Sequence, residues 1–231
     1  MSFRRLSQVI ILNLKKKCFL SPNISSSYSG NRQNLCSYPI SRYPVPDKKD
    51  LPDDIVQQMN EVEEKSGFLP NVFRALSHRP AEYRAFFAYY DVLMYKEHGN
   101  LSKADKEMIV VATSAHNNCV YCVIAHGALM RVFSKKKITA DQVAINWKCA
   151  DLDARQKAIL EFAMRVCKSE AIHEEHFVDL EKHGLDREDA WDIGAIVGFF
   201  ALSNRMAHLV SMRPNDEFYT FGRIPKDKKD K

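Results

Sequence analysis

The chain has 231 residues, 45% of them hydrophobic and 27% charged, enough for one well-cored domain with a short appendage. Its net charge of +5 is lopsided: residues 1–46 hold seven basic residues (Arg4, Arg5, Lys15, Lys16, Lys17, Arg32 and Arg42) and no acid, and the remainder holds 27 basic against 29 acidic residues. The domain itself therefore carries no basic excess that would point to nucleic acid, and no run of about 20 apolar residues reads as a membrane span.

The first segment, residues 1–46, combines nine serines, no acid and a short apolar stretch, Val9 to Leu14, flanked by Arg4, Arg5 and Lys15 to Lys17. That is the composition of a mitochondrial transit peptide, so the expected address is the mitochondrial matrix, with the cytoplasm as the alternative. A secretory signal fits less well, because the apolar core is short and three lysines end it. Cys18 and Cys36 would leave with the leader, and the remaining Cys119, Cys122, Cys149 and Cys167 are too few for a disulfide framework. The linker 37–52 carries four prolines.

One domain is expected over 47–223, almost wholly helical, followed by a charged, frayed tail at 224–231. A first amphipathic helix runs from Asp53 to Lys65, with Ile55, Met59 and Val62 on one face and Gly67 as its stop. A short helix follows at Asn71–Ser77. Pro80 suits a first helical position and opens Ala81 to Lys96, which Gly99 closes. Ser102 with Asp105 resembles a capping pair for a helix running to about His116. The next helix begins at Cys119 and reaches about Phe133. Further helices are expected at Thr139–Lys148, at Ala154–Lys168 behind Asp153, at His173–Lys182 ended by Gly184, and from Arg187 to about Ser211. The segment after it starts as irregular chain, and no strand-like alternation stands out.

Chemistry concentrates between Leu101 and Arg131, in LSKADKEMIVVATSAHNNCVYCVIAHGALMR. Cys119 and Cys122 form a CxxC pair, His126 follows one turn on, and Glu107 lies twelve residues upstream of the first cysteine. At about 100° per residue, Cys119, Cys122 and His126 fall within an arc of roughly 60° on one helix face. Asn117 and Asn118 suit a break that puts Cys119 in the first helical turn. Amide hydrogens exposed there favour a thiolate, the reactive form of cysteine. His126 can take a proton from Cys122, and Glu107 can orient His126 directly or through a water. Two other readings exist: a CxxC in a helical protein can be two small buried residues, and His116, Cys119, Cys122 and His126 can be written as a zinc ligand list. Zinc fits poorly, because no second ligand pair lies on a separate element.

Glu, CxxC and a histidine four residues after the second cysteine resemble the motif of the AhpD-like alkylhydroperoxidases of the carboxymuconolactone decarboxylase superfamily. GFLPNVFRALSHRPAEYRAFFAYYDVLM, MIVVATSAHNNCVYCVIAHG, AWDIGAIVGFFALSNRMA and PNDEFYTFGR resemble its peroxidase-related branch, over about Asp50 to Arg223. The chain departs from the motif at Tyr121, where the best-studied AhpD proteins carry a histidine of the proton relay. The resemblance implies an all-α AhpD-like domain, a homo-oligomer, and a thiol peroxidase that needs no haem, flavin or metal. It implies that Cys122 attacks an organic hydroperoxide and becomes a sulfenic acid, with Cys119 as proton donor and resolving thiol, and His126 and Glu107 as its activators. A second dithiol then reopens the disulfide, and in the family that reductant can be a lipoyl group on a protein. A decarboxylase of the same fold, which needs no dithiol, and a non-enzymatic redox or interaction protein are the alternatives.

Other residues weigh less. Phe86, Phe87, Tyr89 and Tyr90 crowd one helix and read as core or subunit packing, as do Phe199 and Phe200. His176 and His208 read as ordinary surface or core histidines, and Cys149 and Cys167 as inert singletons. Asn204 and Arg205 sit on an apolar helix, where they either tie helices together or line a pocket.

Overall fold

The computed structural model describes residues 39–97 and 99–223. The basic leader through residue 38, with its proposed address, and the charged tail 224–231 lie outside the described residues. Ten α-helices follow in order: α1 (Asp53–Ser66), α2 (Asn71–Leu76), α3 (Pro80–Met94), α4 (Lys103–His116), α5 (Val120–Ser134), α6 (Thr139–Asn146), α7 (Ala154–Cys167), α8 (Glu174–Lys182), α9 (Arg187–Val210) and α10 (Glu217–Thr220). Among the described residues there is no strand, so the fold is all-α, as expected.

Local chemistry explains most boundaries. Ser102 accepts from the Asp105 amide at 3.1 Å and Asp105 accepts from the Ser102 amide at 2.9 Å, a complete capping box at the start of α4. Asp153 with Gln156, and Asp186 with Asp189, build the same device for α7 and α9. Gly67 ends α1 at φ 83°, a left-handed conformation that only glycine adopts freely. Two boundaries depart from expectation for tertiary reasons. Helix α3 stops at Met94 rather than Lys96, where the buried Lys106 ammonium of α4 donates to the Leu93 and Lys96 carbonyls at 2.9 and 3.1 Å. The segment after α9, expected to be irregular, contains α10. It forms where Phe218 packs edge-on against Phe68, ring centres 5.0 Å apart. The buried Arg131 guanidinium of α5 also donates to the Phe218 and Phe221 carbonyls.

Helix α4 is the centre of the domain. Every residue from Asp105 to Ser114 is buried, and α5, α6, α7 and α9 pack around it. Helix α9 supplies Ile193, Ile196, Val197 and Phe200 to the same core. It is long and apolar enough to cross a membrane, which the residue-run reading did not register, but here those side chains face α3, α4, α5 and α7. The end of the leader also joins the domain. The Arg42 amide donates to the Val210 carbonyl at 2.7 Å, Ile40 accepts from the Arg213 amide at 3.2 Å, and Tyr43 stacks on His78. Ser41 is buried between them.

These contacts make the domain edge measurable. A chain beginning at residue 48 should be less stable than one beginning at residue 39 by about 1–3 kcal/mol, the worth of two backbone hydrogen bonds and a ring stack. Denaturant midpoints of the two truncations test this, and equal midpoints would show that residues 39–47 contribute nothing.

Candidate active site

The turn between α4 and α5 sets the position of both cysteines. Asn118 adopts φ 56°, a left-handed conformation that asparagine tolerates. The Cys119 amide reaches the Ser114 carbonyl at 2.9 Å and the Asn118 amide reaches Ala115 at 3.0 Å. Those two bonds form a Schellman motif with asparagine in the usual glycine place. Cys119 therefore closes α4 and, in the same position, is the N-cap of α5. It sits one residue earlier than the first-turn position expected, still at the positive end of the helix.

Four residues were singled out from sequence, and the structure brings them to one place. Glu107 and His126 are both buried and bond directly, with Oε2 of Glu107 2.7 Å from Nδ1 of His126. The carboxylate accepts, so Nδ1 carries the proton and Nε2 is the ring's second, free-facing nitrogen. The ring stands edge-on against Phe200, with centres 4.7 Å apart. Cys119 and Cys122 are free thiols, buried, and hydrogen-bonded to each other. The two sulfurs behave as one titrating pair. The Cys122 thiol beside it, then the Cys122 amide, His208 and Asn204, hold Cys119 down to about 6 against the effect of burial. Cys122 is pushed well above the ordinary thiol range by Cys119 and by burial.

The two sulfurs, equally buried, differ in what they line. A cavity of about 170 Å³ opens beside α5, and Cys122 and His126 line it whereas Cys119 does not. His126 bonds to Glu107, and it lines the cavity together with Cys122. The cavity wall contains eight phenylalanines, among them Phe73, Phe86, Phe199 and Phe218, together with Tyr90 and Tyr95. Phe86, Phe87, Tyr90, Phe199 and Phe200, read from sequence as packing residues, do pack, and they also form this wall. Tyr89 points outward. Periodicity places a residue on the inner face of a helix but cannot separate the wall of a cavity from solid core.

Tyr121, where the chain departs from the resembled motif, is buried. Its hydroxyl accepts from the Val72 amide at 3.0 Å, and Asn215 accepts from the Asn71 amide at 2.7 Å. Helix α2 begins after Pro70 and has no side-chain cap of its own, so these two distant groups satisfy its first-turn amides. Asn204 and Arg205 separate: Asn204 is buried and ties α9 to α4 and the turn, and Arg205 is exposed and bonds back to the Ala201 carbonyl. His208 donates from Nε2 to the Asn117 carbonyl, and Nδ1 of His176 accepts from the His173 amide. Cys149 is exposed, and Cys167 lies 4.0 Å from the Asn117 side-chain oxygen. Among the described residues no group of three or more His, Cys, Asp or Glu is arranged to hold a metal ion.

The fold and the buried Glu–CxxC–His constellation define a helical dithiol protein, and comparison with known proteins agrees. The sequence profile of the carboxymuconolactone decarboxylase family matches residues 80–165. A peroxidase-related protein from Ralstonia eutropha JMP134, described as an alkylhydroperoxidase AhpD core, is 59% identical. It covers 82% of this chain and 100% of its own, with a TM-score of 0.80. A peroxidase-related protein from Silicibacter sp. TM1040 is 38% identical over 78% of this chain and 93% of its own, with a TM-score of 0.73. The debrominase Bmp8, at 19% identity and a TM-score of 0.61 over 79% of this chain and 95% of its own, shares the fold. A comparison with curated proteins returned no match. The chain belongs to the AhpD-like proteins of the carboxymuconolactone decarboxylase superfamily.

Two outcomes follow from the wall chemistry. Tyr121→Phe leaves the Val72 amide without an acceptor and should lower stability by about 1–3 kcal/mol, read from the denaturation midpoint. Asp91 lines the cavity, and burial raises its carboxyl to about 6. An acid raised in the folded state costs stability as its charge appears, so the cost is absent below about pH 4 and complete above about pH 6. Asp91→Asn should therefore raise the melting temperature at pH 8 and leave it nearly unchanged at pH 4. A gain of the same size at both values would mean that the charge is not responsible.

Proposed function

We propose that this protein is a thiol-dependent peroxidase that reduces organic hydroperoxides through a Cys119–Cys122 dithiol/disulfide cycle, with an antioxidant role. The observation that carries the reading is the placement of the pair: Cys122 lines an apolar cavity together with His126, and Cys119 caps the start of the same helix one turn before it. A hydroperoxide needs a sulfur it can reach, a proton for its leaving alkoxide, and room for its organic part. The aromatic wall supplies the last of these by removing apolar surface from water.

The chemistry runs in balanced steps. As the hydroperoxide enters, the pair's one proton moves from Cys122 to Cys119. The Cys122 thiolate attacks the distal peroxide oxygen, an S–O bond forms, and the O–O bond breaks. The leaving alkoxide takes the proton held by Cys119, relayed through His126, and departs as an alcohol. Glu107 holds the His126 ring in the tautomer that can accept at Nε2 and pass a proton on. The Cys119 thiolate then attacks the Cys122 sulfur, the S–S bond forms, and hydroxide leaves to become water with a solvent proton. An external dithiol reopens the disulfide by two exchange steps. A lipoylated protein in the mitochondrial matrix is the reductant the leader composition favours. Because Tyr89, Val92, Trp191 and Leu202 expose apolar side chains on α3 and α9, we also propose a homo-oligomer, to be read as a mass above one chain by light scattering.

The decisive experiment compares single-cysteine variants with cumene hydroperoxide and dihydrolipoamide. Cys122→Ser should abolish turnover, a loss of at least about 10³-fold for removal of a nucleophile. Cys119→Ser should react once and stall as a sulfenic acid that dimedone traps. His126→Ala and Glu107→Gln should each slow the first oxidation by about 10²-fold, and the double variant by little more, since the two act as a unit. Identical behaviour of Cys119→Ser and Cys122→Ser would remove the ordered roles. A full chain that turns over no hydroperoxide with any dithiol would leave the decarboxylase or non-enzymatic readings in place.

A further inference from the structure

Helix α9 meets the dithiol with two consecutive polar residues, Ser203 and Asn204, both buried. Asn204 donates to the Ser114 hydroxyl at 3.0 Å and accepts from the Asn117 amide nitrogen at 2.9 Å. Those partners flank the turn that carries Cys119, so Asn204 fixes the turn against α9. Ser203 is different. A buried serine within a helix commonly returns its hydroxyl to the carbonyl four residues back. Ser66, Thr113 and Ser134 do this here, bonding Val62, Ile109 and Met130 at 2.8, 2.8 and 2.6 Å. The Ser203 hydroxyl instead lies 3.8 Å from the Cys122 sulfur, the contact distance of a sulfur hydrogen bond. Ser203 also lines the cavity, so it stands at the mouth of the same small space as Cys122 and His126.

The chemistry of that contact has a direction. A hydroxyl can donate or accept, whereas a thiolate can only accept. When Cys122 carries the proton, either atom can donate. When Cys122 has lost it, the hydroxyl must donate, and a hydrogen bond to a charged acceptor is stronger than one to a neutral acceptor. The contact thus strengthens in the state that attacks. Ser203 thus sets a hydroxyl at Cys122, whose neighbour in the pair, Cys119, acts against its negative charge.

We propose that Ser203 is a positioning residue for Cys122, whose hydroxyl donates to the Cys122 thiolate and holds that sulfur toward the cavity for attack. The proposal rests on Cys122 being the attacking thiol. Its test reads the thiol directly and needs no peroxide turnover, so failure of either idea is separately visible.

The measurement is the rate of iodoacetamide alkylation of Cys122 against pH, followed by mass spectrometry of the Cys122 peptide, in the full chain carrying Cys119→Ser. The other ionisable groups lining this cavity, Glu61, Lys65, Tyr90, Asp91, Tyr95, Tyr121 and His126, with Glu107 behind His126 and His208 beside the turn, are the same in every variant. Ser203→Ala should move the midpoint of the Cys122 profile up by about one pH unit, close to tenfold less thiolate at any pH below it, as expected for one lost charge-assisted hydrogen bond. Ser203→Thr and Ser203→Val have the same shape and differ in the hydroxyl, so their difference reads the hydrogen bond even if both pack less well than serine. Ser203→Thr should keep the parent midpoint within about 0.3 units and Ser203→Val should follow Ser203→Ala. Coincident profiles for the threonine and valine variants, or no shift in the alanine variant, would overturn the proposal. A parallel measurement of peroxide turnover with intact Cys119 should then show a lower kcat for Ser203→Val with KM for cumene hydroperoxide little changed.

Discussion

Burial of α4 is the constraint on which the rest depends. A helix packed among other helices has little water to solvate charge, and the first two turns of this one carry Asp105, Lys106 and Glu107 in succession, all buried. An unpaired charge in such a place costs several kcal/mol, so each must have a partner. Asp105 takes the Ser102 cap and the Arg155 guanidinium at 3.0 Å, and Lys106 takes the carbonyl end of α3. Glu107 takes His126. Two of the three partners hold helices together and the third creates a chemical group. The same solvation penalty that organises the core thus delivers an oriented imidazole to the cavity.

The dithiol sets apart two properties that the proposed peroxidase cycle needs together. The N-cap position stabilises negative charge, but a residue there is held by the turn and faces inward. The residue three positions on lines the cavity, but burial and the neighbouring sulfur both push its thiol up. In the peroxidase cycle we propose, one proton serves both sulfurs, and the sulfur that lines the cavity carries the charge when it attacks. Neighbouring groups from α9, Ser203 and Asn204, are placed where they bear on that balance.

The cavity owes its shape to segments distant in sequence. Phe68, Phe73 and Phe86 come from the first half of the chain, and Phe199, Phe218 and Phe221 from the last fifth. The α2 segment stays in place because Tyr121 and Asn215 cap it from outside, and α10 because Arg131 holds its carbonyls. Each of these is a side chain acting on the backbone of another element. Such bonds replace the local caps that a free-standing helix would carry.

Much of this was legible in the order of residues. Helix starts and stops followed Ser102, Asp153 and Gly67, because caps and left-handed glycines act within four residues. The Glu107, Cys119, Cys122 and His126 set was legible because helical spacing is short-range geometry. Tertiary structure alone decided the rest. It decided that Glu107 meets His126 without a water between them, that Cys122 and not Cys119 faces the cavity, that Tyr121 caps α2, and that aromatic residues read as core also enclose a pocket. It also brought Ser203 to the reactive sulfur from 81 residues away. The physical reason is range: propensity and capping depend on neighbours in the chain. Desolvation and cavity shape depend on which atoms meet in space, and a sequence states those only once it is folded.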